Sequence, residues 1–313
     1  MDRAQRVAAL HTISAIPVTP FDTDGRVDWR AYERVVDRLV DGGITVITPN
    51  GNTGEFYALA AEECDRAVEV TVARAGRAGG VLVMPGTGHD VATAIALGRT
   101  AQRAGAQALM VHQPVHPYQS PEGWVAYHAA IAEALPEMGI VCYVRDPNVT
   151  AAMLSRLAEQ PNVVGVKYAV PNPLQFASIV AEVGAAVGQD RLAWVCGLAE
   201  GWAPFFWPGG AVGFTSGLVN VDTAAPFELL HKLQAGDYAG AMALWRRVKP
   251  FEDLRARRNA ANNVPVVKEA LAQLGVCGRT VRPPISEVPP GERAEVADLL
   301  ATMGIWHLAS VGA

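Results

Sequence analysis

Of the four lysines in the chain, Lys167 alone lies in a run that reads as a buried strand, Val163-Val164-Gly165-Val166-Lys167-Tyr168-Ala169. An ammonium group among valines loses hydration, which disfavours its charged form and lowers its pKa. A lysine that is partly neutral near neutral pH attacks a ketone and forms a Schiff base. The plain structural alternative is a strand-end lysine that snorkels to the surface or pairs with a carboxylate. Lys232, Lys249 and Lys268 fall in segments of helical period, which predicts charged heads kept in water.

An amine that captures a 2-keto acid needs two further groups. One is a site for the carboxylate beside the ketone. Gly51-Asn52-Thr53-Gly54 suits this, because glycines let the backbone approach closely, consecutive N–H groups form an anion nest, and Thr53 adds a hydroxyl donor. The same loop also fits an ordinary turn that places Glu55 in the first turn of a helix. The other need is an acid–base group for carbinolamine formation and dehydration. Tyr143 ends the preceding apolar run and offers its hydroxyl, although a strand aromatic with its hydroxyl at the rim is the simpler reading of that residue alone.

Short apolar or β-branched runs that would position these groups begin near Ile13, Ile44, Val81, Ala108, Ile140, Val163, Leu192 and Ala211, at intervals of 19 to 37 residues. Segments of helical period separate them, among them Trp29 to Leu39, Glu62 to Ala73, Ala92 to Ala104 and Trp124 to Leu135. Glycines that end helices precede many of the runs: Gly42-Gly43, Gly79-Gly80, Gly105, Gly139 and Gly209-Gly210. Near-continuous hydrophobic strands alternating with helices mean a parallel sheet covered on both faces. Eight such units predict an α/β fold, a (β/α)8 TIM barrel over residues 1–236. No strand is evident after Gly236, and helical stretches at Tyr238 to Val248, Val264 to Leu274 and Gly291 to Met303 predict a C-terminal helical extension, residues 237–313. In such barrels the chemistry sits at the C-terminal ends of the strands, so Lys167, Tyr143 and the Gly51–Glu55 loop are expected to meet at one mouth.

The formal charge of −5 gives no basic footprint for nucleic acid, and no apolar stretch is long enough to span a bilayer. The N-terminus shows no signal-peptide plan, and Cys64, Cys142, Cys196 and Cys277 are scattered with no Cys-x-x-Cys pair, which predicts a reduced, cytoplasmic setting. Seven histidines show no ligand spacing, so no metal or other cofactor is expected. Gly86-Thr87-Gly88 before a helix lacks the third glycine of a dinucleotide fingerprint and reads as a βα loop. Trp202, Phe205, Phe206 and Trp207 read as helix packing or part of an interface.

Pro17-Val18-Thr19-Pro20-Phe21, Gly51 to Glu55, Tyr143, Gly165-Val166-Lys167 and the Gly197/Glu200 pair resemble the dihydrodipicolinate synthase/N-acetylneuraminate lyase family, in order and spacing, from about Ile13 to Met303. The resemblance implies a barrel with a helical C-terminal region, usually a homotetramer, and class I aldolase-type chemistry without metal. It makes Lys167 the Schiff-base lysine, Tyr143 the proton relay, and Thr53 with Asn52 the carboxylate-binding pair, beside Gly54. Asn52 stands where many members carry a second hydroxyl residue. In the lysine-biosynthesis enzymes the segment after the fourth strand supplies a tyrosine to a neighbouring subunit; His116 holds that place here, two residues before Tyr118. The arginine with which the synthase holds its aldehyde is replaced by Asn148 or Val149, which removes a bidentate carboxylate clamp. Tyr143-Val144-Arg145-Asp146, Arg255-Ala256-Arg257 and Val281-Arg282-Pro283-Pro284 are similar to segments of 5-dehydro-4-deoxyglucarate dehydratases, although Val144 and Tyr168 depart from that branch.

The expected function is therefore a Schiff-base lyase, a dehydratase or aldolase, acting on a small 2-keto acid, chiefly a 2-keto-3-deoxy sugar acid such as 5-dehydro-4-deoxyglucarate. Asn52, Thr53, Gly54, Arg145, Glu200, Thr215 and Ser216 are the expected substrate contacts, with Arg145 open to either a distal substrate carboxylate or an ion pair with Asp146 or Glu200. The alternatives are a pyruvate-dependent synthase, a keto-acid-binding barrel without catalysis, or a phosphate-binding barrel using Gly213 to Gly217. A homo-oligomer, dimer or tetramer, is expected, with no nucleic-acid or membrane partner.

Overall fold

In this computed structural model, residues 1–305 are described. Nine short parallel strands carry the architecture: β1 (Ile13–Ala15), β2 (Val46–Ile47), β3 (Leu82–Val83), β4 (Gly86–Thr87), β5 (Ala108–Val111), β6 (Gly139–Val144), β7 (Val163–Tyr168), β8 (Ala193–Cys196) and β9 (Gly213–Ser216). They form one curled sheet in the order β3-β2-β1-β9-β8-β7-β6-β5-β4. The two ends of that order, β3 and β4, are separated in the chain only by Met84 and Pro85. They are two halves of one barrel strand. On one side, Met84 N–H donates to Ile47 O (2.9 Å) and Gly86 N–H to Pro49 O (2.8 Å); on the other, Pro85 O accepts from Met110 N–H (2.9 Å). Proline has no N–H to give, so the ladder is interrupted there while the ring stays closed.

Every strand residue is buried, as expected for a parallel sheet covered on both faces. Alternate side chains feed two cores. Cys142, Val144, Val166 and Tyr168 pack outward against the helices. Val46, Leu82, Met110, Val141 and Tyr143 fill the barrel, which Val7 and Leu10 join from the N-terminal helix Arg3–Ala9 and the residue that ends it.

A bulge decides what faces Tyr143. Ile140 pairs with Val163, but Val141 pairs with Gly165, so Val164 is skipped and Lys167 comes opposite Tyr143. Without the extra residue Val166 would hold that place and the lysine would turn outward.

The α-helices of the barrel lie close to the expected segments, for example Trp29–Asp41, Ala61–Ala75, Val91–Ala104 and Pro121–Ala134. After Ser216 the described residues contain helices only, ending in Tyr238–Ala256, Asn263–Gln273 and Pro290–Thr302. The last eight residues of the expected helical extension, 306–313, lie outside the described ones.

Candidate active site

Lys167 is the penultimate residue of β7, and Tyr143 is the penultimate residue of β6, so both side chains enter the barrel near its C-terminal mouth. Lys167 is buried, with Nζ 4.1 Å from the centre of the Tyr143 ring and 3.5 Å from the Met110 sulfur. It has no carboxylate partner among the described residues. A thioether is a weak acceptor and a ring face a diffuse one, so neither replaces lost hydration. Burial, helped by the nearby Arg145 charge, lowers the lysine pKa to about 7. Burial likewise raises that of Tyr143, which stays a neutral hydroxyl able to give and take a proton.

The loop after β2 reaches this pair. Asn52–Gly54 forms a tight turn between Asn50 and Glu55, both with φ 60°. Asn52 Nδ2 donates to the Tyr143 hydroxyl at 3.2 Å. Its Oδ1 and the N–H groups of Asn52 and Thr53 have no acceptor or donor partner among the described residues. These adjacent donors beside the lysine are an anion-binding arrangement. Thr19 Oγ1 fixes the far side of the turn by donating to Gly54 O at 2.7 Å.

Around these groups lies a cavity of about 770 Å³ lined by Asn52, Thr53, Tyr143, Arg145, Lys167 and Thr215, among others. Arg145 is at its exposed edge and makes no ion pair among the described residues, so neither Asp146 nor Glu200 takes its charge. Thr215 lines the wall, with its hydroxyl 3.5 Å from Cys196 O. Ser216 and Glu200 lie behind that wall, not on it: they are buried, hydrogen-bonded to each other, and absent from the lining. Burial, together with the nearby Glu252 charge, pushes the Glu200 carboxyl up to about 8. The Gly213 to Gly217 run is strand β9 and the residue after it, with Gly217 packed against the Arg255 guanidinium.

Several features depart from the sequence reading. Lys268 is not solvated. It is fully buried and donates to Glu55 Oε1 and, at 2.8 Å, to Thr280 O, over the Phe21 ring at 4.0 Å. Glu55 is correspondingly not in the first turn of an α-helix but at the junction of two short 3₁₀ turns. Gly86-Thr87 is strand β4, and a Cβ on Gly86 would stand 2.0 Å from Asn50 O and 2.6 Å from His112 Nε2, which explains the glycine better than a βα loop does. Phe206 is core, whereas Trp202 and Phe205 line the cavity beside Trp245. His116 and Tyr118 sit on an exposed loop, where His116 Nδ1 lies 2.7 Å from Tyr118 O.

His112 was not singled out by sequence. It follows β5 directly, is buried against Phe56 with ring centres 4.4 Å apart, and burial lowers its pKa to about 3, leaving a neutral ring 5.9 Å from that of Tyr143. Its position immediately after a four-residue apolar run was the available signal. In the Glu252–Arg255 pair of the cavity wall, 2.7 Å apart and nearly inaccessible, Arg255 belongs to the Arg255-Ala256-Arg257 segment singled out above, whereas nothing in the sequence marked Glu252.

The Dihydrodipicolinate synthetase family matches residues 9–303. The chain belongs to this family. Like the family's other members it is a lyase on a TIM barrel. It resembles the crystal structure of dihydrodipicolinate synthase from Bacillus clausii with a TM-score of 0.91 and 43% identity, over 96% of this chain and 99% of that one. A probable 5-dehydro-4-deoxyglucarate dehydratase of Rhizobium rhizogenes is 29% identical over 92% of this chain and 94% of its own length. A 4-hydroxy-tetrahydrodipicolinate synthase of Acidiphilium cryptum is 30% identical over 92% and 96%. These last two relatives thus carry the names of two reactions at nearly equal identity. No helix among the described residues is long and apolar enough to cross a membrane.

Proposed function

We propose that this lyase works through a Schiff base between Lys167 and the ketone of a 2-keto acid, most specifically a 2-keto-3-deoxy sugar acid such as 5-dehydro-4-deoxyglucarate. The observation that carries the reading is the buried Lys167 amine, with no counter-charge among the described residues, set against Tyr143 at 4.1 Å and sharing a cavity with the free backbone donors of Asn52 and Thr53. The substrate carboxylate lies on the N–H groups of Asn52 and Thr53, with the Thr53 hydroxyl beside them. The neutral amine adds to the ketone carbon, Tyr143 hands a proton to the carbonyl oxygen, and water leaves to give the iminium. The iminium draws electrons, so the adjacent carbon loses a proton and an enamine forms. The hydroxyl one carbon further then departs as water. Loss of carbon dioxide from a far carboxylate would complete the dehydratase reaction, and Arg145, uncommitted at the cavity edge, is the group to hold that carboxylate.

A pyruvate-dependent synthase is the second reading, favoured by the name of the Acidiphilium relative. Against it, Val149 is buried and Asn148 is bonded to Asp146 at 2.8 Å, so no arginine stands at the aldehyde-clamp positions. The exposed loop with Tyr118 at 85% and Val115 at 61% suits contact with another subunit of a dimer or tetramer, where His116 would approach the neighbour's site.

Pyruvate with borohydride tests the common first half: a stable adduct on the peptide containing Lys167 is expected, and its absence at saturating pyruvate ends the proposal. Incubation with a panel of 2-keto-3-deoxy sugar acids, following dehydration, carbon dioxide and pyruvate separately, then assigns the second half. Release of pyruvate alone would replace the dehydratase reading with an aldolase.

A further inference from the structure

We propose that Lys268 is a positioning residue for catalysis: its buried ion pair with Glu55 holds the Asn52–Gly54 turn in the shape that receives the substrate carboxylate. This rests on the reading that the turn binds that carboxylate.

The turn closes on itself through Gly54 N–H to Gly51 O and Glu55 N–H to Asn52 O, each 3.0 Å, and Thr19 holds Gly54 O, but its exit at Glu55 needs more. Glu55, the residue that ends it, has φ 60°, a left-handed conformation that non-glycine residues avoid and that needs outside support. That support comes from the C-terminal part of the chain. Glu55 is buried, and both its carboxylate oxygens are engaged: Oε1 accepts from Lys268 Nζ, and Oε2 accepts from the Arg282 N–H at 3.0 Å. A carboxylate held at both oxygens cannot rotate, so the peptide to which it is attached cannot flip freely.

Lys268 is itself fixed, since it also donates to Thr280 O at 2.8 Å and lies over the Phe21 ring. Arg282 continues the tie, with Nη1 and Nη2 on Glu63 at 2.6 and 2.7 Å and Nη1 on Ala58 O at 2.8 Å. Both flanks of the short segment from Glu55 to Glu63 are therefore pinned by residues 268–282. The free N–H groups of Asn52 and Thr53 point where this frame sets them, and an anion site made of backbone donors loses affinity when those donors turn away.

The experiment measures borohydride trapping on Lys167 as a function of ligand concentration, using pyruvate and, in parallel, acetone, which offers the same ketone without the carboxylate. Lys268→Met is expected to raise the half-saturating pyruvate concentration on the order of tenfold to a hundredfold, the scale of a misplaced binding group, while acetone trapping stays as in the wild type. A merely structural loss would weaken both ligands together, and that result overturns the proposal. Lys268→Met leaves the Glu55 charge buried, so the double variant Glu55→Gln/Lys268→Met, with neither charge, is measured alongside. It is expected to fold and still show the selective loss of pyruvate; wild-type half-saturation by pyruvate in the folded double variant would overturn the proposal. If wild-type enzyme traps acetone but shows no preference for pyruvate, the carboxylate site itself fails and the clamp with it. If wild-type prefers pyruvate and the variants match it, the clamp alone fails.

Discussion

Two lysines of this chain are buried to nearly the same degree, and they do opposite things. Lys167 lies next to last in a barrel strand with a thioether and an aromatic face for company, and its pKa falls to about 7. Lys268, on the helix Asn263–Gln273, is also pulled down by burial, but the Glu55 charge and hydrogen bond act against that pull. Burial supplies the desolvation in both cases. What separates a nucleophile from a structural cation is whether the protein also provides a counter-charge.

The comparison breaks most decisively at Lys167. Lys167→Met should lower turnover by at least about a thousandfold, or ~4 kcal/mol of activation free energy, and abolish borohydride trapping. The same substitution should leave the fold as stable or more so, because it removes a desolvated amine with no partner. Thermal unfolding checks this. The sign with pH follows from proton counts: the folded chain binds fewer protons at Lys167 than the unfolded chain from about 7 up to the free-lysine value, so wild-type stability rises with pH there. The advantage of Lys167→Met should therefore shrink as pH climbs through that window.

At Lys268 the outcome should reverse. Lys268→Met strands the Glu55 charge and should cost about 3–5 kcal/mol in chemical denaturation, while the doubly neutral Glu55→Gln/Lys268→Met should recover most of it. Equal stability of the two variants would show that the pair carries no electrostatic weight.

A smaller effect concerns the rate profile. With a lysine pKa of about 7, kcat/KM should rise about tenfold per pH unit below that point and level off above it, since only the neutral amine attacks. Smallest of all, Arg145→Leu removes a neighbouring positive charge, so the limb should move to higher pH. A limb that stays in place would leave burial as the sole cause of the Lys167 shift.

The parts of the molecule that obey a short repeat were readable in advance. Eight apolar runs between helical segments gave the barrel, and Lys167, Tyr143 and Thr53 came together at its mouth because strand ends in this fold converge. Four things escaped. The third strand is split at Pro85, which a sequence shows only as one more residue in an apolar run. Glu200 was expected to face substrate, but its side chain turns to Ser216, and side-chain direction after a strand depends on loop geometry that has no period. Lys268 was misread because its partner is 213 residues away, and helical period says which residues share a face but not what covers it. The bulge at Ile140/Val141 belongs with these: it sets Lys167 opposite Tyr143, and Gly165 beside the skipped Val164 was the available signal, read as one more residue of the run.

The Met110 sulfur beside Lys167 has a further consequence. While the iminium stands it carries a positive charge, and no carboxylate among the described residues pairs with Lys167 to balance it. The ligand's own anion must do so, which makes the incoming carboxylate both the handle and the balancing charge. Small carboxylates that lack a ketone should thus do more than occupy the site: by favouring the protonated amine, they would switch off the nucleophile they sit beside.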